Sequence, residues 1–237
     1  MNTTSASPAE AARKVLIWDA PVRVFHWLMV FSFAGAYLTA ESERWRLLHV
    51  SLGYTMVGLV IFRIVWGLVG TRHARFSDFV RGPKAVASYI RGMLRGDPET
   101  HVGHNPLGAV AILVLLTLTL VIGASGWAVF NDAGGEWLEG AHEFAANFML
   151  AVIGVHIAGV VMTSRRARVN LVGAMVTGNK VARPEDGVRS AWRSVAALML
   201  VAVAGFWWLQ WQQAPTAQGL ASHAASSTHK DGDNDDD

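Results

Sequence analysis

The chain has 237 residues, of which 52% are hydrophobic and 16% charged, with a formal net charge of +2. That balance excludes an ordinary soluble domain and describes a polytopic membrane protein. There is no cysteine, which excludes structural disulfides, thiolate-held iron–sulfur clusters and a C-x-x-C-H haem attachment.

In chain order, "MNTTSASPAEAARK" is polar and has no cleavable apolar core ahead of Trp18. No signal peptide is expected, and the first spanning helix acts as the insertion signal. Apolar segments follow at residues 22–40 and 50–69, then a basic loop over 71–104. Within that loop "KAVASYIRGMLR" sets Val86, Tyr89, Ile90, Met93 and Leu94 at helical spacing, flanked by Lys84, Arg91 and Arg95. A short amphipathic helix on the membrane face is predicted there. Further apolar segments cover 107–130, 144–163 and 194–211. Each of the five approaches the ~20 residues that cross hydrocarbon as a helix. The acidic end "HKDGDNDDD" cannot bury a core and reads as disordered.

Orientation follows from charge, because Lys and Arg are retained on the cytoplasmic side. Residues 1–23, 71–104 and 164–193 hold 16 of the 20 Lys and Arg. This places the N-terminus and those two loops inside, and the acidic tail in the periplasm. The positive charge is thus a topology signal, and no nucleic-acid binding is expected. Trp18, Trp45, Trp66, Trp137, Trp192, Trp207, Trp208 and Trp211 fall near segment ends, where interface anchoring is the expected role.

Nine histidines need sorting. His73, His101 and His104 in the basic loop, and His223 and His229 in the tail, read as solvated or capping residues. Four remain, in or at the edges of the spanning segments: His26, His49, His142 and His156. At ~1.5 Å rise per residue, His26 and His156 fall at the inner level and His49 and His142 at the outer, ~21 Å apart along the fourth segment. Fourteen residues is close to four whole turns, so His142 and His156 share one helix face. A lone membrane histidine commonly makes a helix-to-helix hydrogen bond. Two levels and a shared phase point instead to axial ligand pairs for haem iron in a bundle core. Gly53, four residues after His49, and Gly154 and Gly159, flanking His156, leave backbone close enough for a flat porphyrin.

Arg63 follows His49 by 14 residues, on the same face but at the inner level, where the helices carry no Asp or Glu. A buried arginine needs an anion, and a haem propionate supplies one. Arg23, one turn before His26, is placed to bind another. Transition-metal transport is the rival use of clustered histidines, but such sites recruit carboxylates or thiols. Only Glu143 stands nearby, and it is expected to face the interface.

The stretches "WDAPVRVFHW", "HVSLGY", "FRIVWGLVGTRHARFSDF", "GHNPLG", "HEFAANFMLAVIGVH" and "NLVGAMVTGNK" together resemble the bacterial cytochrome b561 and nickel–iron hydrogenase b-type cytochrome superfamily, in order over residues 16–180. The resemblance implies an all-α fold, a transmembrane four-helix bundle binding two non-covalent b haems through His26, His49, His142 and His156. It also implies membrane electron transfer between a quinone/quinol pool and a redox partner such as a c-type cytochrome, a hydrogenase or a dehydrogenase. Residues 1–15 are then a cytoplasmic N-terminus, 16–180 the dihaem domain, 181–211 a linker and additional fifth helix, and 212–237 a periplasmic tail outside the family core.

Bis-histidine ligation leaves no open position for oxygen chemistry at iron, which favours an electron carrier in the bacterial inner membrane over a stand-alone enzyme. Glu41, Glu43, Asp132, Glu136 and Glu139 give the outer loops an acidic face for a partner. Two other readings remain: a superoxide:quinone oxidoreductase of the same fold, and a haem-free scaffold or metal-ion transporter.

Overall fold

The computed structural model describes residues 12–96 and 101–213. It is built from eight helices, α1 (Ala20–Thr39), α2 (Arg46–Val69), α3 (Phe76–Phe79), α4 (Pro83–Arg95), α5 (Pro106–Phe130), α6 (Trp137–Ala167), α7 (Leu171–Thr177) and α8 (Arg193–Gln213). Two strands, β1 (Arg13–Leu16) and β2 (Asn179–Ala182), complete it, with short 3-10 turns at Glu43–Trp45 and Pro184–Asp186. Five helices, α1, α2, α5, α6 and α8, are long and apolar enough to cross a membrane. Their outward side chains, among them Phe31, Leu38, Leu68, Phe144 and Val155, are exposed, as a lipid-facing surface requires.

The starts of the helices are written in local sequence. Asp19 caps α1, its carboxylate accepting from the Val22 amide at 2.9 Å with Pro21 just inside. Asn105 caps α5 by accepting from the Gly108 amide at 2.6 Å, with Pro106 first in the helix. Both arrangements satisfy an otherwise orphaned backbone donor. The predicted amphipathic helix forms as α4, burying Tyr89 and leaving Leu94 exposed.

Helices α1, α2, α5 and α6 pack in that order, each against its neighbour. Small residues allow the close contacts: a Cβ on Gly35 of α1 would lie 2.7 Å from Leu52 Cδ1 of α2. The two ends of the bundle differ in charge, the ends of α2 and α6 and the start of α1 being joined by the Lys- and Arg-rich segments. We call this the basic end.

The core of the basic end gathers Ile17, Trp18, Val22, Trp66, Ala74, Ala174 and Ala182. Asp19 sits within it, 1% exposed. Beyond capping α1, it accepts from Trp66 Nε1 at 3.0 Å and Thr71 Oγ1 at 2.7 Å. Around this core β1 pairs antiparallel with β2, Arg13 opposite Ala182 and Leu16 opposite Asn179. The Gly178 carbonyl accepts from both the Ile17 and Trp18 amides, at 2.8 and 3.0 Å.

Two sequence expectations change here. The helical class stands, with the addition of a two-stranded ribbon. Trp18 and Trp66 are core residues, 6% and 8% exposed, instead of interface anchors, because the buried indole N–H of Trp66 finds its acceptor in Asp19. Trp45, Trp137, Trp192, Trp207, Trp208 and Trp211 are exposed. Residues 201–213 of α8 belong to a separate compact unit. The acidic tail, with His223 and His229, lies outside the described residues.

Candidate functional site

At the end opposite the basic one, His49 in the first turn of α2 meets His142 in the second turn of α6. Their ring centroids are 6.2 Å apart and their planes cross at 72°. His49 Nδ1 lies 2.8 Å from the Ala36 carbonyl of α1. His142 Nδ1 lies 3.1 Å from both the Ile122 carbonyl and Ser125 Oγ of α5. A carbonyl only accepts, so each Nδ1 carries the proton and donates, and each Nε2 keeps a lone pair. Two imidazoles bound through Nε2 on opposite sides of one metal, at ~2 Å each, have centroids roughly 6 Å apart. A metal-ligating imidazole tied through its other nitrogen to a carbonyl is the usual supporting arrangement.

Space beside the pair is governed by glycine. A Cβ on Gly53 would meet nothing within 4 Å, whereas one on Gly126 of α5 would lie 2.8 Å from His142 Cε1 and 3.2 Å from Nδ1. Gly126 therefore seats the His142 ring, and no periodicity in the sequence had marked it. Glu143 is exposed.

At the basic end His26 and His156 are half-buried and close enough to interact electrostatically. His26 stands edge-on to Trp27, with ring centroids 5.2 Å apart, and its Nδ1 is buried without a hydrogen-bond partner. Arg63 is 2% exposed. Its guanidinium lies over Phe76 at 4.9 Å and Phe79 at 5.9 Å, and its Nη1 has no hydrogen-bond partner. The charge of Asp19 reaches Arg63, although its carboxylate oxygens are engaged elsewhere. Arg23 donates from Nη1 to the Val176 carbonyl at 2.8 Å, and its buried Nε has no partner. Buried donors without acceptors are expensive, so this level is suited to a carboxylate-bearing group such as haem.

Gly159 also meets open space, but Gly154 stands on the wrong face for a slot beside His156. Two residues are 200° apart on a helix. Gly154 instead lines an open groove of about 590 Å³ along the exposed side of α6, with Ala158, Val161, Arg165 and Arg166.

Two histidines read as solvated are packed instead. His73 is 4% exposed, its Nε2 donating to the Asp186 carbonyl at 2.7 Å and its Nδ1 3.6 Å from Asp78 Oδ2. His104 lies between Trp18 and Phe79, with ring centroids at 4.5 and 4.6 Å, and its Nδ1 is buried without a partner. Burial first, then the charges of Arg63, His73, Lys180 and His156, push His104 down to about 3. Lys180 is likewise held below the usual lysine range by burial, and it donates to the His101 and Val102 carbonyls. The sequence marks only the helix start beside His104, where Asn105 and Pro106 cap and open α5; its burial comes from packing against Trp18 and Phe79. Among the described residues, no three of His, Cys, Asp and Glu converge to hold a metal ion.

The family model described as prokaryotic cytochrome b561 matches residues 17–178. Among curated proteins, the chain is similar to the probable Ni/Fe-hydrogenase B-type cytochrome subunit of Rhizobium leguminosarum bv. viciae, 24% identical over 221 residues, covering 73% of this chain and 92% of that protein. The corresponding Rhodobacter capsulatus subunit is 23% identical over 212 residues, covering 70% of this chain and 81% of its own. The probable Ni/Fe-hydrogenase 1 B-type cytochrome subunit of Escherichia coli K12 is 26% identical over 143 residues, covering 49% and 60%. No solved structure matches. The matched span begins at Ile17 and ends at Gly178, the residues joined by the hydrogen bond that closes the basic end, so it takes in the whole four-helix unit and all four intramembrane histidines. The chain therefore belongs to the prokaryotic cytochrome b561 family, multi-pass membrane cytochromes that carry electrons on b-type haem.

Proposed function

We propose that the chain is a dihaem electron conduit, with His49 and His142 holding one haem and His26 and His156 the other. The observation that carries the reading is the first pair: two imidazoles at 6.2 Å with both Nδ1 protons committed to α1 and α5 carbonyls. Bound haem supplies a one-electron couple at each level. His49 and His142, oriented by their Nδ1 contacts, would hold one haem and His26 and His156 the other, and ligation by two imidazoles would leave no site on iron for oxygen. Arg63 and Arg23 neutralise propionate charge at the basic end, and Gly53 leaves room beside His49.

The two levels are ~21 Å apart along α6, and haems held at both would offer an electron two stations across the bundle. Lys and Arg retention places the basic end in the cytoplasm and the His49–His142 end in the periplasm of an inner membrane. We infer a quinone/quinol pool as one redox partner. The names of the relatives favour a hydrogenase as the other, while the exposed Glu41, Glu43, Asp132, Glu136 and Glu139 suit any docking protein with a basic face.

The test is haem stoichiometry. The purified protein in mild detergent should give two haems b per chain by pyridine haemochrome. His49→Ala and His156→Ala should each remove predominantly one. A well-folded parent without haem would sink the proposal and return the histidines to helix contacts.

A further inference from the structure

We propose that His104 is a binding residue for the basic-end haem, donating a hydrogen bond from Nδ1 to a propionate that Arg63 also holds. The proposal rests on the two-haem reading above. His104 is placed by backbone: the Asn105 cap and Pro106 fix the chain at the start of α5. The ring is wedged between Trp18 and Phe79, so its plane is set by packing and Nδ1 points to a site without water access or protein partner.

Phe79 is shared. The Arg63 guanidinium lies over the same ring at 5.9 Å, and Arg63 Nη1 is likewise buried without an acceptor. Both orphaned donors therefore pack against one aromatic side chain, and a single acceptor beside it would serve both.

The titratable groups facing His104 are Arg63, His73, Lys180 and His156, all basic. The nearby acids are already engaged. Asp19 accepts from Val22, Trp66 and Thr71. Asp78 faces Arg72 and His73, and Asp186 faces Arg72. The missing charge is thus negative, and the missing hydrogen-bonding group is an acceptor. A carboxylate is both. A neutral imidazole adds a donor without adding positive charge beside Arg63 and Lys180. Because His26 and His156 lie at this same level, the carboxylate source we assign is the propionate of the haem they hold.

The experiment uses full-length detergent-purified protein, comparing the parent with His104→Leu and the amide-bearing His104→Gln. Haem transfer to excess apomyoglobin and redox titration of both haems are followed. In His104→Leu, the basic-end haem should leave several-fold faster and its midpoint potential should fall, because its propionate has lost a donor. The far-end haem should not change, and His104→Gln should recover part of the difference. Reconstitution with haem dimethyl ester, whose uncharged carbonyls accept more weakly than a carboxylate, should shrink the difference between parent and His104→Leu.

An equal change at both haems, no change at either, or a difference undiminished with the ester would overturn the assignment. Should His104→Leu fail to accumulate, parent against His104→Gln with haem and with its ester decides in the same way. A parent holding two haems with His104-independent behaviour defeats this inference alone; a parent with none at the basic end defeats both readings.

Discussion

At the scale of single residues, Asp19 does more than any one side chain to hold the basic end. Its carboxylate caps α1 and accepts from an indole and a hydroxyl that are otherwise buried without acceptors. Asp19→Ala removes a cap and orphans two donors, so a loss of about 3 kcal/mol is expected from typical cap and unsatisfied-donor costs. Thermal melts in detergent should show it, with Asp19→Asn losing distinctly less because one amide oxygen still accepts. Neither Asp19 nor His104 could be assigned its partners from sequence. Asp19 precedes a helix by position, but its contacts to Trp66 and Thr71 span 47 and 52 residues. The four apolar-segment histidines stood out because imidazole in a lipid-spanning run is costly. His73 and His104 did not, because a polar loop hides burial that only tertiary packing creates.

At the scale of elements, the spanning helices were legible from hydropathy to within a few residues at most ends. The start of α6 was the exception: Trp137–Ala167 is 31 residues, ~46 Å at helical rise and longer than the ~30 Å hydrocarbon layer. Its first turns carry Glu139 and Glu143 and so fell below any apolar threshold, yet they bear His142. The α5–α6 contact also has a point of failure that hydropathy does not reveal. Gly126→Ala sets a Cβ 2.8 Å from His142 Cε1. The ring should be displaced from its Ile122 and Ser125 partners, and haem counts should fall by up to one per chain, with the remaining spectrum that of the basic-end haem. An unchanged haem count and unchanged spectra would mean that α5 yields instead. The β1–β2 ribbon was illegible for the opposite reason: four-residue strands carry little periodicity, and nothing local announces a partner so distant in the chain.

At the scale of the whole molecule, the charge asymmetry makes two predictions. The chain has no cysteine, so single cysteines report topology without background. Ser42→Cys, on the loop between α1 and α2, should react with a membrane-impermeant maleimide applied to intact cells, and Ser190→Cys should not until the membrane is opened. The reverse pattern would invert the orientation. Electron transfer between the chain and a soluble periplasmic partner should slow as ionic strength rises from ~0.01 to ~0.15 M, where screening shortens from ~30 to ~8 Å; a rate indifferent to salt would remove the acidic loops from the docking surface.

The clasp at the basic end also sets an order of events during synthesis. Leu16 cannot pair with Asn179 until about 165 further residues have been made, roughly 8–30 s at ~5–20 residues per second. Throughout that interval α1, α2 and α5 emerge with the basic end still unlatched, and it closes only after α6 has followed. Whatever must enter the basic end before it closes has that window, and β2 is the segment whose emergence ends it.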